Sequence, residues 1–388
     1  MPITSIPNNS EVLNYINNLN LDFSKPQFNH LKNLVTGIIS IDSKRNISNL
    51  SSKVLNSKDR SCVTKFLNNS PWDDKSLDAC RINNLLSLTK PKANETIFIV
   101  IDDTVITKSK DTKHIEALGY HFSHTEGKSV WGHCIVSSQI ITKSHSVPLG
   151  FKQYFSESYC NQRNLTFETK LEIANDLVDV FAKANTYRQN KIYILTDSWF
   201  ASKDFFEKNL SWGYHTISGF RTNRCIYPKG IKVKISDFIK YTSEDDFKDV
   251  TIKDKTYKVY RYEGKASGID NAVVLICYEA NKTNPKIVAI LSTDTELSSK
   301  IILKHYSNRW KIETSFLYLK DRLGLKHYQM RKIKGFTRFW SIVYLAYTLL
   351  ELYRARISQE KSKLTLGDTI QKFKGATFKS LITLIYVC

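Results

Sequence analysis

The chain has 388 residues, and its 57 Lys+Arg against 37 Asp+Glu give a formal charge of +20. Hydrophobic residues at 41% and aromatics at 12% exclude a mainly disordered chain, and the length allows two or three domains. A pI near 9.4 calls for a polyanionic partner, either nucleic acid or an anionic membrane face. Seven scattered cysteines, an odd number with no C-x-x-C pair, exclude a disulfide framework and a zinc ribbon and suit reduced thiols in a cytosolic protein. The opening residues carry no basic stretch leading into an apolar core, so no secretory signal is expected. The longest apolar run, 340–353, is 14 residues long and holds Ser341 and Glu351. A membrane span needs about 20, so no membrane partner is expected.

In chain order, residues 1–90 read as a helical module. Apolar residues recur at helical intervals over 11–21, 26–39 and 74–88, separated by Asn, Ser and Pro loops. A DNA-binding role for this module is an expectation that rests on a weak helix-turn-helix signal. At Ile97 the pattern changes to a continuous β-branched run, Ile97 to Ile101, ending in Asp102-Asp103-Thr104, which predicts a strand buried on both faces. Strands are predicted at 130–141 and 146–154, a helix over 167–184, and a second buried strand at 192–195 that ends in Thr196-Asp197-Ser198-Trp199. This order predicts an α/β sheet with helices packed on it. Residues 213–299 are again strand-rich and read as a β-rich insertion. From about Leu297 the chain turns helical, and a basic tail covers 351–388.

The charge is uneven. Residues 300–388 hold 18 Lys+Arg against 5 Asp+Glu, well over half of the total excess in less than a quarter of the chain. That bias suits a phosphate backbone better than a solvated surface or a membrane.

Three acidic residues stand out by placement. Asp102 and Asp197 each end an apolar strand, where functional groups of open α/β sheets collect. Taken singly, each also suits a turn or helix cap. Glu313 shares a helical stripe with Tyr306, Arg309 and Lys320, at offsets 0, 3, 7 and 14. An exposed Arg309–Glu313 pair at i, i+4 accounts for two of these residues but not for the phenol and the ammonium. Two strand-end aspartates and a helical glutamate can hold two divalent cations about 3.5–4 Å apart for phosphodiester chemistry. Mg²⁺, with Mn²⁺ as substitute, is the hard cation that such oxygens prefer. Arg309 and Lys320 then suit DNA phosphates on either side.

These residues resemble the DDE transposases of bacterial insertion sequences, in particular the group named for insertion sequence four, with an RNase H-like core. The hallmark Y-x2-R-x3-E-x6-K stands here as Tyr306, Arg309, Glu313 and Lys320 with full agreement in spacing, and the likeness runs on through Leu323-Gly324-Leu325, Tyr328-Gln329, Arg331 and Arg338. Asp102-Asp103-Thr104 with Lys108 resembles the first-aspartate block. Thr196-Asp197-Ser198-Trp199-Phe200 resembles the second, with Phe200 where the family often has Tyr.

The resemblance covers roughly 60–375. It implies an RNase H-like mixed sheet flanked by helices, with a catalytic, metal-binding triad of Asp102, Asp197 and Glu313; Asp103 is the alternative first member. The 116 positions between Asp197 and Glu313 leave room for the insertion. The implied organisation is an N-terminal module (1–90), a catalytic domain in two parts (91–212 and 300–350) around the insertion (213–299), and the tail. Also implied are two Mg²⁺ per site and DNA contacts from Tyr306, Arg309, Lys320, Arg331, Lys108 and Trp199. The partners would be double-stranded transposon ends and target DNA, met by a homodimer in the bacterial cytoplasm at the nucleoid. The activity would be cut-and-paste transposition at terminal inverted repeats. A catalytically inactive DNA-binding relic, and an RNase H-like nuclease that cleaves without joining, are the alternatives.

Other features weigh less. Trp199 and Trp310 suit stacking on an unpaired base but also suit a core. His114, His121 and His124 match no zinc spacing, and His133 reads as structural. No phosphate-binding loop of the G-x-x-x-x-G-K-[ST] kind and no G-x-S-x-G elbow occurs, which excludes the usual signatures of ATP hydrolysis and acyl transfer.

Overall fold

The computed structural model describes residues 6–123, 126–358 and 364–387, with side chains through Lys379. His124, Cys388 and the last turns of the tail's side chains lie outside the described residues.

Five helices open the chain: α1 (Ser10–Asn17), α2 (Lys25–Ser40), α3 (Ile47–Lys53), α4 (Arg60–Asn68) and α5 (Asp74–Thr89). Side-chain caps start them. Asp59 accepts from the amides of Ser61 and Cys62, Asp73 accepts from that of Ser76, and Ser24 with Gln27 forms a capping box on α2. The sequence pattern shows α2 and α5 clearly but not α3 and α4, which are only 7 and 9 residues long.

A mixed α/β region follows: β1 (Ile97–Thr107), β2 (Gly119–Ser123), β3 (Lys128–Ile141), β4 (Ser146–Tyr154), α6 (Glu157–Arg163), α7 (Lys170–Ala184), β5 (Ile192–Thr196), α8 (Lys203–Ser211) and β6 (His215–Phe220). β3 runs antiparallel to β1 and carries β2 and β4 on its other edge, while β5 lies parallel to β1 and β6 parallel to β5. This strand arrangement, β4-β3-β1-β5-β6 with helices on both faces, is an RNase H-like core. It bears out the α/β expectation.

The remaining strands are β7 (Cys225–Ile226), β8 (Val233–Lys234), β9 (Lys248–Ile252), β10 (Lys255–Ala266), β11 (Ile269–Glu279) and β12 (Val288–Ser292), with the short α9 (Ile235–Phe238) among them. They extend the core sheet beyond β6 through β12, β11 and β10, giving twelve strands in one sheet among the described residues. β6, which the sequence boundary at 213 puts in the insertion, pairs instead with the core strand β5. The apolar pattern of 250–262 hides a hairpin, because its turn at Lys253 takes a positive φ of 53° without the Asn-Gly that advertises such turns.

The chain ends in α10 (Ser299–Tyr306), α11 (Trp310–Leu317), α12 (Ile333–Ile357) and α13 (Leu366–Val387). α12 is the hub of the helical layer: it packs on α2, α4, α5, α13 and β4. Residues from Phe336 to Leu350 are therefore buried on nearly every side, which explains the long apolar run there. The stretch expected as a basic tail instead forms α13, which buries Leu366, Ile370 and Phe373 against this hub. No described helix is long and apolar enough to cross a membrane.

Two buried arginines tie the N-terminal helices to the rest. Arg338 on α12 donates to the carbonyls of Leu67 and Ser70 and lies over Trp72. Arg81 on α5 is fully buried; it donates to the carbonyls of Pro148 and Leu149 and to Thr348 Oγ1, and it pairs with Asp78 at 2.9 Å. Arg81→Ala leaves these acceptors unpaired in a closed core and is expected to lower the unfolding free energy by about 3–5 kcal/mol in urea denaturation. A loss below 1 kcal/mol would contradict that linkage.

Candidate active site

β1 and β5 are in register from Ile97 opposite Ile192 to Val100 opposite Leu195. Continued two residues, that register sets Asp102 beside Asp197, where β5 has just ended and the strands part. Alternation along β1 turns Asp102 and Thr104 to one face and Asp103 to the other. On that other face Asp103 pairs with Lys170 of α7 at 2.8 Å and accepts from the Cys134 thiol. Asp102 faces the helices that carry Glu313.

Those helices are not one regular α-helix. α10 passes into a 3₁₀ turn at Ser307–Arg309, then α11, then a π turn at Tyr318–Arg322. The tight and wide turns change the winding locally, as such insertions do at functional sites, yet Tyr306, Arg309, Glu313 and Lys320 still reach the sheet edge together. Arg309 is the centre of the set. Its Nη1 lies 2.9 Å from Asp102 Oδ2 and its Nη2 2.9 Å from Glu313 Oε1, while its Nε is buried without a hydrogen-bond partner. Lys320 Nζ donates to Thr104 Oγ1 at 2.6 Å.

Asp197 accepts the Trp199 amide on Oδ1 at 2.9 Å, closing a turn after β5, so the capping role open to it is used. Ser218 Oγ donates to its carbonyl. On β6 next door, Gly219 leaves room for the Tyr306 phenol. A Cβ there would stand 2.8 Å from Tyr306 Oη and 2.9 Å from the Ser198 amide. Sequence inspection misses Gly219, Lys170 and Ser218, and nothing in their local spacing marks them.

The charges interact strongly. Burial pushes Asp102 up to about 7; Arg309 pulls the other way, and the charges of Asp197 and Asp103 add to the rise. Burial disfavours the Arg309 charge, but Asp102, Tyr306, Glu313 and Asp197 outweigh it and hold the guanidinium above its usual range. Burial also raises the Tyr306 phenol and lowers the Lys320 ammonium. Burial, more than like-charge repulsion, therefore sets the state of the Asp102 carboxyl. Among the described residues no three His, Cys, Asp or Glu side chains meet in metal-binding geometry.

Of the other expected DNA contacts, Trp199 adjoins Asp197, Lys108 is taken up by backbone carbonyls and Arg331 lines a separate groove. Lys108 Nζ donates to the carbonyls of Lys326 and Tyr328 and sits 3.5 Å from the Tyr328 ring centre, with burial lowering its pKa to about 7. It thus holds the loop after the glutamate helix. His133 is buried beneath the same loop, bonded to the Tyr328 hydroxyl and the Glu116 carbonyl, in keeping with a structural role. Arg331 is exposed and lines a groove of about 550 Å³ with Arg60, Lys332, Asn69 and Gln329. Trp199 is half-buried, packed edge-on to Phe200 and near Lys170, whereas Trp310 is 64% exposed beside Arg309.

The site is thus an RNase H-like sheet with acidic residues at the ends of its central strands, faced by a helical glutamate. Comparison with protein families narrows this. The model described as "DDE superfamily endonuclease" matches residues 18–237, and that described as "Transposase DDE domain" matches residues 170–349. The first spans more than half of the chain, which belongs to the DDE superfamily of endonucleases; the second supports a transposase that acts on DNA. No curated protein matches the chain.

Gly219→Ala is a test of the site's packing. The added methyl displaces either Tyr306 or the turn that holds Asp197, and overpacking of this size costs about 1–3 kcal/mol. The variant is expected to fold with a lowered Tm and to lose about a hundredfold in DNA nicking. Unchanged nicking would show that the close packing of Tyr306 and the Asp197 turn against Gly219 has no part in the site.

Proposed function

We propose that the chain is a DDE transposase of the group named for insertion sequence four, with Asp102, Asp197 and Glu313 as its catalytic carboxylates. The observation that carries this reading is the register of β1 and β5, which sets Asp102 next to Asp197, together with the single guanidinium that joins Asp102 to Glu313 across more than 200 residues of sequence. Asp102 and Asp197 at adjoining strand ends, with Glu313 tied to Asp102 through Arg309, offer the carboxylate oxygens that a hard divalent cation takes, although in this pose the three do not meet in metal-binding geometry. The donor chemistry therefore fits Mg²⁺ or Mn²⁺, as the family's general use of divalent metals implies.

Asp102, Asp197 and Glu313 would hold the ions, two in number. Bound there, the ions would supply a lowered pKa for the attacking water or 3′-hydroxyl and stabilisation of the leaving oxygen. Asp103 is the weaker candidate, since it faces α7 and is neutralised by Lys170. The chain's own residues supply orientation and charge. Tyr306 packs the Asp197 turn, Arg309 and Lys320 present cations to the strand being cut, and Lys108 fixes the loop after the helix. Arg331, exposed on its basic groove, suits the phosphate backbone at a distance from the cut, and Trp199 a contact beside Asp197.

The substrate in this reading is the terminal inverted repeats of an insertion sequence, cut and then joined through a freed 3′-hydroxyl into target DNA by a homodimer. The strands that continue the core sheet after β6 form the insertion, and α1–α5 form an N-terminal module that contributes to DNA binding.

The test uses purified full-length chain, a duplex bearing the DNA that flanks its gene, and Mg²⁺ or Mn²⁺. Metal-dependent cleavage at the element ends, followed by joining to a target, is expected, with Glu313→Gln reducing the rate by a thousandfold or more, on the order of 4 kcal/mol of barrier. Cleavage without joining would favour the nuclease alternative. Tight, salt-sensitive binding without cleavage would overturn the enzymatic reading in favour of a DNA-binding relic.

A further inference from the structure

We propose that Arg309 is the resident counter-ion of the carboxylate site in the DNA-free chain, and that divalent cations and a DNA phosphate load together because both require it to leave. The inference rests on the assignment of Asp102 and Glu313 as metal ligands. It goes further by giving Arg309 a gating position, distinct from simple phosphate contact.

Four observations carry it. Arg309 uses its two terminal nitrogens on carboxylates from two different elements, the strand β1 and the helix α11, each at 2.9 Å. The oxygens it occupies, Asp102 Oδ2 and Glu313 Oε1, belong to the donors a cation would take. The third guanidinium nitrogen, Nε, is buried without a hydrogen-bond partner, with the Tyr306 phenol beside the group, so this pose leaves part of the fork unused. Beside it the Trp310 ring, centred 5.5 Å from the guanidinium carbon and largely exposed, offers a cation–π surface on the way out to solvent.

A +1 guanidinium and a +2 ion compete for the same two carboxylates. A DNA phosphate offers Arg309 an alternative bidentate acceptor and so removes the competitor. Linkage then requires reciprocity: DNA raises cation affinity by the same factor by which cation raises DNA affinity.

The test is direct Mn²⁺ binding to the full-length chain, read by electron paramagnetic resonance of free Mn²⁺ and by calorimetry, with and without a short blunt duplex, and with no turnover measured. Arg309→Gln is expected to bind Mn²⁺ about tenfold more tightly than the unaltered chain in the absence of DNA. DNA is expected to tighten Mn²⁺ binding of the unaltered chain by a similar factor and to leave the variant nearly unchanged. Arg309→Lys, which keeps one charge without the fork, falls between them and guards against a folding defect in the first variant.

Equal or weaker Mn²⁺ binding by Arg309→Gln, with binding still lost in Asp102→Asn, overturns the counter-ion role while leaving the carboxylate site standing. Mn²⁺ binding that is indifferent to Asp102→Asn overturns the carboxylate assignment and the gate with it.

Discussion

Charges of one sign do not gather in a folded protein unless something opposes their repulsion. Here Asp102 and Asp197 stand side by side at the end of parallel strands, Glu313 approaches from a helix, and Asp103 lies one residue away. The Arg309 guanidinium offsets part of that charge and Lys170 another part. Burial then holds the Asp102 carboxyl up at about 7 even with an arginine in contact, and the neighbouring Asp197 and Asp103 charges add to the rise. Much of the surrounding architecture keeps this unfavourable cluster in place.

That architecture is a sheet edge locked from both sides. The parallel β1–β5–β6 strands fix the two aspartates and Gly219 in neighbouring positions, and the 3₁₀ and π turns flanking α11 adjust the glutamate helix to meet them. Behind it, Lys108, Tyr328 and His133 hold the loop that leads into α12, and α12 carries the N-terminal helices through Arg81 and Arg338. Phosphoryl transfer relies on positioning and charge stabilisation, so in the proposed reading the rigidity of this support bears directly on rate.

Much of this is legible in the sequence, and the reasons are physical. The runs at 97–101 and 192–195 announce strands because both of their faces are covered, and the aspartates that end them mark the sheet edge. The Tyr306–Arg309–Glu313–Lys320 stripe is visible because helical spacing survives the local change in winding. What the sequence hides is whatever depends on contacts distant along the chain. Nothing local distinguishes Asp102 from Asp103; only the pairing of Asp103 with Lys170, 67 residues away, separates their surroundings. Lys108 stands out beside the first aspartate, but nothing local shows the carbonyls that accept its hydrogen bonds, which lie more than 200 residues further on. α13 reads as a basic tail because its few buried apolar residues acquire meaning only against α12, and β6 reads as insertion because its partner β5 precedes an intervening helix.

The central claim is that Asp102, Asp197 and Glu313 form one cation site on DNA. Anomalous diffraction from crystals of the chain bound to a duplex and soaked in Mn²⁺ addresses it most directly. The account predicts anomalous peaks within coordination distance of oxygens from all three carboxylates, with Arg309 turned away from Asp102 toward a phosphate. Peaks bound elsewhere, or an Arg309 still bridging Asp102 and Glu313 beside bound DNA and metal, would contradict it.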